Sequence, residues 1–472
     1  MGEKQTKAYW FFLGDTGVRI FGFFTTILLA RILGVESYGL LSIAVAVLGV
    51  ASWLSDPGLG TLGARNLARP KHKRISTVGE ILRIRILLGF TVFFSISFLI
   101  WGTHFHSFET GLVIQLFLLS LIPNALLLEW YFNASKNYKW ITYSRLAQAS
   151  LYLMLVYLLI NPSDITLVPI LYFFSVTGAA VILYVALPSM NEIRGNWPSY
   201  HKFREVILTA LPLGLGTFFI QVVIFMPPLV IGYYFGFREA GLFGVAIKII
   251  LFCILIDRFL IKQLLPNISE LWDENHTKLK KHIQRSLHWM IFTGCLFALI
   301  LNTGAEFFIH FFFGDAYHDS SLLLRILSFY LPLAFINSLF TYGLISFKQD
   351  LSYLRSGLKG GIAAFFILLI ISSIGSLEWV AWAVVLSEAV ILIFFYTEFH
   401  KYIQPDFITP ILRLIGPALI FLFLPIAGWI TYPLSLTLLP MLYIFTVFLI
   451  RGMNTQDILW IRMMLFKEEI EN

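Results

Sequence analysis

The sequence has 472 residues, 58% of them hydrophobic and only 13% charged, with a mean hydropathy of +0.80 and a formal net charge of +7. A soluble domain is about 25% charged, so this composition excludes a soluble globular enzyme and a disordered chain. Only two cysteines occur, Cys253 and Cys295, both inside apolar runs, which excludes a disulfide scaffold and reads as buried thiols.

Taken in chain order, apolar runs fall at about 10–33, 38–55, 82–101, 111–132, 141–160, 165–187, 206–235, 240–261, 286–304, 321–346, 358–376, 378–399, 411–430 and 432–450. A helix needs about 20 apolar residues to span a bilayer. The pattern therefore predicts an all-α polytopic membrane protein with about 14 transmembrane helices. The opening segment, MGEKQTKAYWFFLGDTGVRIF, has no small-residue cleavage site and carries Asp15 and Arg19 inside its apolar run. It reads as a retained first helix rather than a cleaved signal. The stretch 263–285 (QLLPNISELWDENHTKLKKHIQR) reads as an amphipathic surface helix and basic linker. The longest outer connection, 303–320, has no room for a folded domain.

The basic residues orient the runs. With the N-terminus inside, 29 of the 34 lysines and arginines fall on inner connections or inner helix ends, Arg65, Arg85, Arg145 and Lys359 among them. This alternation predicts an even number of helices with both termini cytoplasmic, and it attributes the net charge to loops rather than to nucleic-acid binding. The five exceptions are Arg19, Arg31, Arg238, Lys248 and Arg325. Arg31, Arg238 and Arg325 lie near outer helix ends, where snorkelling accounts for them. Arg19 and Lys248 lie deeper.

Residues 33–47 (LGVESYGLLSIAVAV) and 235–249 (FGFREAGLFGVAIKI) align at an offset of 202, matching Gly34 with Gly236, Gly39 with Gly241, Leu40 with Leu242 and Ala44 with Ala246. Each is an outer turn opening a helix, the second run in one case and the eighth in the other. Six intervening runs give both copies the same orientation. This predicts two parallel six-helix lobes, 1–204 and 205–405, followed by two further helices and a cytoplasmic tail at 406–472.

Several segments carry a family resemblance: LARILGVESYGLLSIAVAV followed by SDPGLGTLGARNLARPK, then LLLEWYFNASKNYKW, FGFREAGLFGVAIKI and FFGDAYHDSSLLLRILSFYLP. In order and spacing they resemble polysaccharide (O-antigen repeat unit) flippases of the Wzx type. That family belongs to the superfamily of multidrug and toxic-compound extrusion (MATE) proteins and the lipid II flippase MurJ. The resemblance covers most of the chain. It implies transport of an undecaprenyl-pyrophosphate-linked oligosaccharide across the bacterial inner membrane, by alternating access and without a cofactor. Polysaccharide polymerase and chain-length proteins become candidate partners beside the membrane lipids. A cationic lumen that receives the pyrophosphate is also implied. One departure is the seventh run, where FMPPLVIGYYFG lacks the acid that relatives often carry, so a coupling role for that acid does not carry over.

A charge at the bilayer centre costs about 2.5–3.5 kcal/mol on insertion scales and faces a partner or a wet cavity. Asp15 and Arg19 are four apart on one helix face, which Gly22, Thr26 and Ala30 extend as a small and polar stripe. This face reads either as a cavity wall whose arginine meets an anionic ligand or as an internal ion pair. Lys248 shares a face with Gly241 and Gly244 and stands opposite Ala46 in the repeat; it reads either as a second cation toward a central anion site or as a lysine snorkelling outward. Arg19 and Lys248, one per lobe, are the leading substrate-binding candidates, with Asp15, Gln221, Arg31 and Arg325 beside them. Asp15, Glu129 and Glu388 are candidate acids for coupling; for the two glutamates, packing against a polar neighbour is the alternative. Asp257 and Arg258 read as an interfacial pair.

Pro212, Gly214, Gly216, Pro227 and Pro228 in the seventh run predict a broken helix, either a gate or a static kink. The ten histidines show no metal spacing, and the pair in HFH at 104–106 reads as solvated. No Walker A, HExxH or GxSxG motif occurs. The alternatives to a flippase are a MATE-like cation-coupled exporter, which Asp15 favours, and a membrane glycosyltransferase or polymerase, which the short outer loops disfavour.

Overall fold

In a bilayer every backbone polar group must be satisfied within the protein, and a continuous helix does this locally. The computed structural model describes residues 3–68, 76–102, 107–162, 164–189, 197–406, 408–426 and 434–450, with single positions at 193, 452, 453, 457, 459 and 460. Among these residues all regular structure is helical. The HFH triplet and the basic residues Arg69, Lys71, Lys73, Arg74, Arg194, Arg451, Arg462 and Lys467 lie outside the described residues.

The chain divides into two compact units, Met1–Gly244 and Val245–Asn472. The first contains α1 (Glu3–Ser55), α2 (Leu59–Leu67), α3 (Val78–Gly102), α4 (Phe108–Leu119), α5 (Leu121–Leu126), α6 (Glu129–Ala134), α7 (Tyr138–Leu159), α8 (Leu167–Val185), α9 (Tyr200–Tyr234) and the start of α10 (Phe237–Glu274). The second contains the rest of α10, then α11 (His276–Thr303), α12 (Ala305–Phe313), α13 (Ser320–Ser328), α14 (Tyr330–Ser346), α15 (Asp350–Ile374) and α16 (Leu377–Phe399). It closes with α17 (Ile408–Pro410), a π-helical turn at Ile411–Ile415, α18 (Gly416–Ile426) and α19 (Leu434–Leu449).

Each of the fourteen apolar runs falls on one or more of these helices, the fourth on α4, α5 and the start of α6 and the tenth on α13 and α14; 427–430 and 432–433 of the last two runs lie outside the described residues. Among the described residues nine helices are long and apolar enough to cross a membrane, the first of them, Leu13–Ser55, holding two runs. Three shorter apolar helices cover Val223–Tyr234, Ile408–Leu422 and Leu436–Leu449. The fifth run, α7, is outside both groups because its first half carries Ser144, Arg145, Gln148 and Ser150.

Local chemistry sets several boundaries. Thr77 and Glu80 form a capping box before α3: the Thr77 amide donates to Glu80 Oε2 at 2.9 Å and the Glu80 amide to Thr77 Oγ1 at 3.2 Å. Gly34 takes a positive φ of 79°, bending α1 between its two runs, and its repeat partner Gly236 takes 102° before α10. The two motif copies also abut symmetrically. A Cβ on Gly39 would lie 1.7 Å from the Phe237 carbonyl oxygen, and one on Gly241 would lie 2.1 Å from the Val35 carbonyl oxygen. Val35 and Phe237 are themselves repeat partners, so the contact is isologous. Only glycine at both positions allows this approach.

A second correspondence had no sequence signal beyond a shared lysine. Lys136, after the fourth run, and Lys348, after the tenth, are the two described non-glycine residues with positive φ, at 57° and 60°. In both turns the next amide reaches back five residues, Asn137 to the Phe132 carbonyl at 2.9 Å and Gln349 to that of Leu344 at 3.0 Å.

Two expectations change. The stretch 263–285 is not a separate surface helix. α10 continues to Glu274, and α11 starts at His276 after Asn275, whose Oδ1 caps the Lys278 amide at 2.9 Å. Leu264, Ile268, Leu279 and Ile283 are buried, so the segment extends the spanning helices with an apolar face of its own. Nor do the prolines break the seventh run. Pro212, Pro227 and Pro228 lie inside the continuous α9. Neighbours hold its first half: Trp53 Nε1 donates to the Gly214 carbonyl at 2.8 Å, and Gly58 (φ 88°) packs backbone to backbone against Gly214.

Candidate functional site

Charged side chains at membrane depth are the groups whose presence most needs an explanation. In the first unit four of them form one network. On α1, Arg19 Nε lies 3.6 Å from Asp15 Oδ2, one helical turn away. On α7, Arg145 grips Glu129 of α6 side-on, Nε to Oε1 at 2.8 Å and Nη2 to Oε2 at 2.6 Å. The Asp15 carboxylate also lies within electrostatic reach of Arg145. α1 and α7 approach closely beside them, because Gly14 packs on Thr142 and Gly17 on Leu146, and Thr142 Oγ1 donates to the Trp10 carbonyl at 2.6 Å.

The network is not sealed. Arg19 and Arg145 are 38% and 35% exposed, and Asp15 and Glu129 are 24% and 27% exposed. Gly22 is exposed as well, with open space where a Cβ would stand. Further along the stripe, Thr26 and Ala30 are buried. Thus the open face covers the Asp15 to Gly22 end, and the far end packs inside.

Arg85 presents the opposite case. The charge alternation places it with the inner basic residues, yet it is buried. Its Nε lies 3.0 Å from Asp56 Oδ2, and its other nitrogens donate to the Leu127 carbonyl at 2.7 Å and the Asn124 carbonyl at 3.1 Å. It ties α3 to the end of α1 and to the C-terminal carbonyls of α5.

In the second unit the polar groups form a buried cluster. Glu388 of α16 accepts from Asn337 Nδ2 at 2.7 Å and from the Tyr330 hydroxyl. Asp257 of α10 is 2% exposed and accepts from Ser338 Oγ, while Arg258 bonds the Tyr342 hydroxyl. Asp257 and Arg258 are therefore not an interfacial pair: both turn toward α14, whose Asn337, Ser338 and Tyr342 supply the partners. Sequence reasoning missed this because no periodicity shows which helix will face which.

The remaining candidates are placed as follows. Lys248 of α10 is half-buried and has no hydrogen-bond or ion-pair partner among the described residues. Gln221 of α9 is exposed. Arg325 is paired with Glu306, Nη2 to Oε1 at 2.7 Å. Arg31 is exposed beside an open apolar cavity of about 570 Å³, lined by Phe24, Leu28, Leu153, Met154 and Tyr157. Among the described residues no three His, Cys, Asp or Glu side chains gather where they could hold a metal ion.

The family model described as "Polysaccharide biosynthesis protein" matches residues 6–272. Among solved structures, the chain is similar to lipid II flippase MurJ in an inward closed conformation, with a TM-score of 0.70 and 15% identity over 93% of this chain and 99% of that one. It is similar to an inward-facing multidrug resistance MATE family transporter of the MOP superfamily, with a TM-score of 0.65 and 13% identity over 82% and 94%. A third similar structure is a MOP superfamily transporter from Pyrococcus furiosus, described as having a binding pocket of reversed polarity, with a TM-score of 0.58 and 13% identity over 84% and 94%. None of the curated proteins compared matches the sequence. At these identities the structures show that the chain shares the fold of these proteins, and with the family match the resemblance read from the sequence is borne out.

Proposed function

The chain belongs to the polysaccharide biosynthesis protein family, and on that premise we propose that it is a flippase for an undecaprenyl-pyrophosphate-linked oligosaccharide, an O-antigen or other surface polysaccharide repeat unit. It works in the bacterial inner membrane with both termini cytoplasmic. The two sequence lobes, 1–204 and 205–405, alternate in access, with 406–472 as an addition. The observation that carries the reading is Arg19, a partly exposed guanidinium on a spanning helix beside the open Gly22. A charge in that setting opens on water rather than hydrocarbon, and a planar guanidinium suits a phosphate. Lys248, without a competing partner among the described residues, supplies the second cation as a point charge.

Other candidates take lesser parts. Gln221 contributes hydrogen bonds for sugar, and Arg31 and Arg325 attract the anion at the outer helix ends. Glu388 or Asp15 carries coupling. Polymerase and chain-length proteins receive the product.

A deletion strain tests the reading: lipid-linked sugar intermediates are expected to accumulate on the cytoplasmic face. Arg19→Ala and Lys248→Ala, at matched expression, are expected to reproduce that accumulation. Unimpaired flipping in both variants removes these residues from the site. The MATE-like exporter remains the second reading, favoured by Asp15 and by the shared fold. Drug sensitivity of the deletion strain, with normal surface polysaccharide, would select it.

A further inference from the structure

Two arginines of the first unit bind carboxylates in contrasting ways. Arg85 is buried and triply tied, to Asp56 and to two helix-end carbonyls. Arg145 is open to solvent, and among the described residues its hydrogen-bonding partner is Glu129 alone, as Glu129's is Arg145. A brace gains from burial and from several ties. A pair that is a third exposed and has a single partner residue leaves room for another anion to reach the guanidinium and take the carboxylate's place.

We infer that the Arg145–Glu129 pair is an exchangeable anion site, in which Glu129 holds the guanidinium fork until the diphosphate of the substrate replaces it. This rests on the flippase reading for the substrate's identity. The fork geometry is the reason. Nε and Nη2 present two parallel donors to two carboxylate oxygens, and two oxygens of a phosphate fit the same edge. Asp15 stands toward Arg19 and Arg145 as a second resident anion.

With two acids and two arginines, the network is neutral when no ligand is bound. A diphosphate brings more charge than a carboxylate and can engage Arg19 and Arg145 together, because the glycine contacts of α1 with α7 keep their helices adjacent. The displaced carboxylates turn into water. The resident acids do two things. They keep the guanidiniums oriented between cycles, and they compete with the anion, so that product leaves.

Titrating inorganic pyrophosphate into the purified full-length protein in nanodiscs, followed by calorimetry, tests this. Arg145→Ala is expected to weaken binding about tenfold or more, and Glu129→Gln to tighten it about tenfold by removing the competitor. Arg145→Lys keeps the charge, loses the fork, and is expected to fold normally and bind several-fold more weakly than wild type. The double reversal R145E/E129R rebuilds an ion pair. It is expected to recover the thermal stability of the single reversals without recovering pyrophosphate binding.

No pyrophosphate binding by the wild type, unchanged or weaker binding by Glu129→Gln, or full binding by the double reversal each overturns the inference. The calorimetric result is separable from the flippase reading. A deletion strain that accumulates no lipid-linked sugar defeats that reading while leaving the measured anion exchange standing. Accumulation together with wild-type binding by Arg145→Ala defeats the exchange site alone.

Discussion

The charge network of the first unit and the polar cluster of the second contain similar groups in opposite settings. Asp15, Arg19, Glu129 and Arg145 answer charge with charge and remain a quarter to two-fifths exposed. Asp257 and Glu388 are almost wholly buried and are answered mainly by hydroxyls and an amide, from Ser338, Tyr330 and Asn337. Burial makes an unmet polar group expensive, so the second cluster is held by bonds that are costly to remove. Exposure lets water replace a lost partner, so the first network can change partners cheaply. Ion pairing by itself thus says little about whether a site is fixed or exchangeable. The depth of the pair decides.

That contrast can be tested by thermal unfolding of the purified protein. The largest effect is expected at Arg85, which lies in the first unit but is buried like the second cluster. Arg85→Leu strands the Asp56 carboxylate and two carbonyls, and is expected to cost about 3 kcal/mol. A loss under about 1 kcal/mol would mean that burial is not the deciding variable.

Next comes Asn337→Leu, expected to cost about 2 kcal/mol because Glu388 loses a donor in a dry setting. Glu388→Gln, which keeps the shape and an acceptor oxygen for Asn337, should cost less than Asn337→Leu; the reverse order would place the cluster's stability in charge rather than in hydrogen bonds. Third, Glu129→Gln should change stability by less than about 1 kcal/mol, since Arg145 is open to water. The smallest effect is in salt. Raising ionic strength from about 0.1 M to 1 M shortens the screening length from about 10 Å to about 3 Å. The small Glu129→Gln difference should shrink to a few tenths of a kcal/mol, while the Asn337→Leu difference stays unchanged.

Much of the architecture was legible because the bilayer imposes one-dimensional rules. Apolar length marked the fourteen runs, and within the described residues each falls on one or more helices. The glycine turns at Gly34 and Gly236 announced a repeat because a positive φ and a close backbone approach both demand glycine. The matching turns at Lys136 and Lys348 stayed hidden. Their likeness lies in backbone bonds, and such bonds place little demand on side-chain identity. The prolines of α9 misled for a related reason. Proline weakens a helix locally, but docking of Trp53 and Gly58 on Gly214 supplies support from distant sequence.

The site was half legible. Arg19 stood out because an arginine in an apolar run breaks the loop rule, and Asp15 lay one turn away. Arg145 and Arg85 obeyed that rule, counting as inner basic residues, and so were passed over. What composition and spacing determined is the membrane class, the helices and the paired glycine turns, because each depends on transfer energies and backbone constraints that act residue by residue along the chain. What only the tertiary structure decided is which charges meet. Partnership depends on how neighbouring helices pack: α7 turns Arg145 to Glu129 and leaves the pair open to water, α3 buries Arg85 against Asp56, and α10 aims Asp257 at α14.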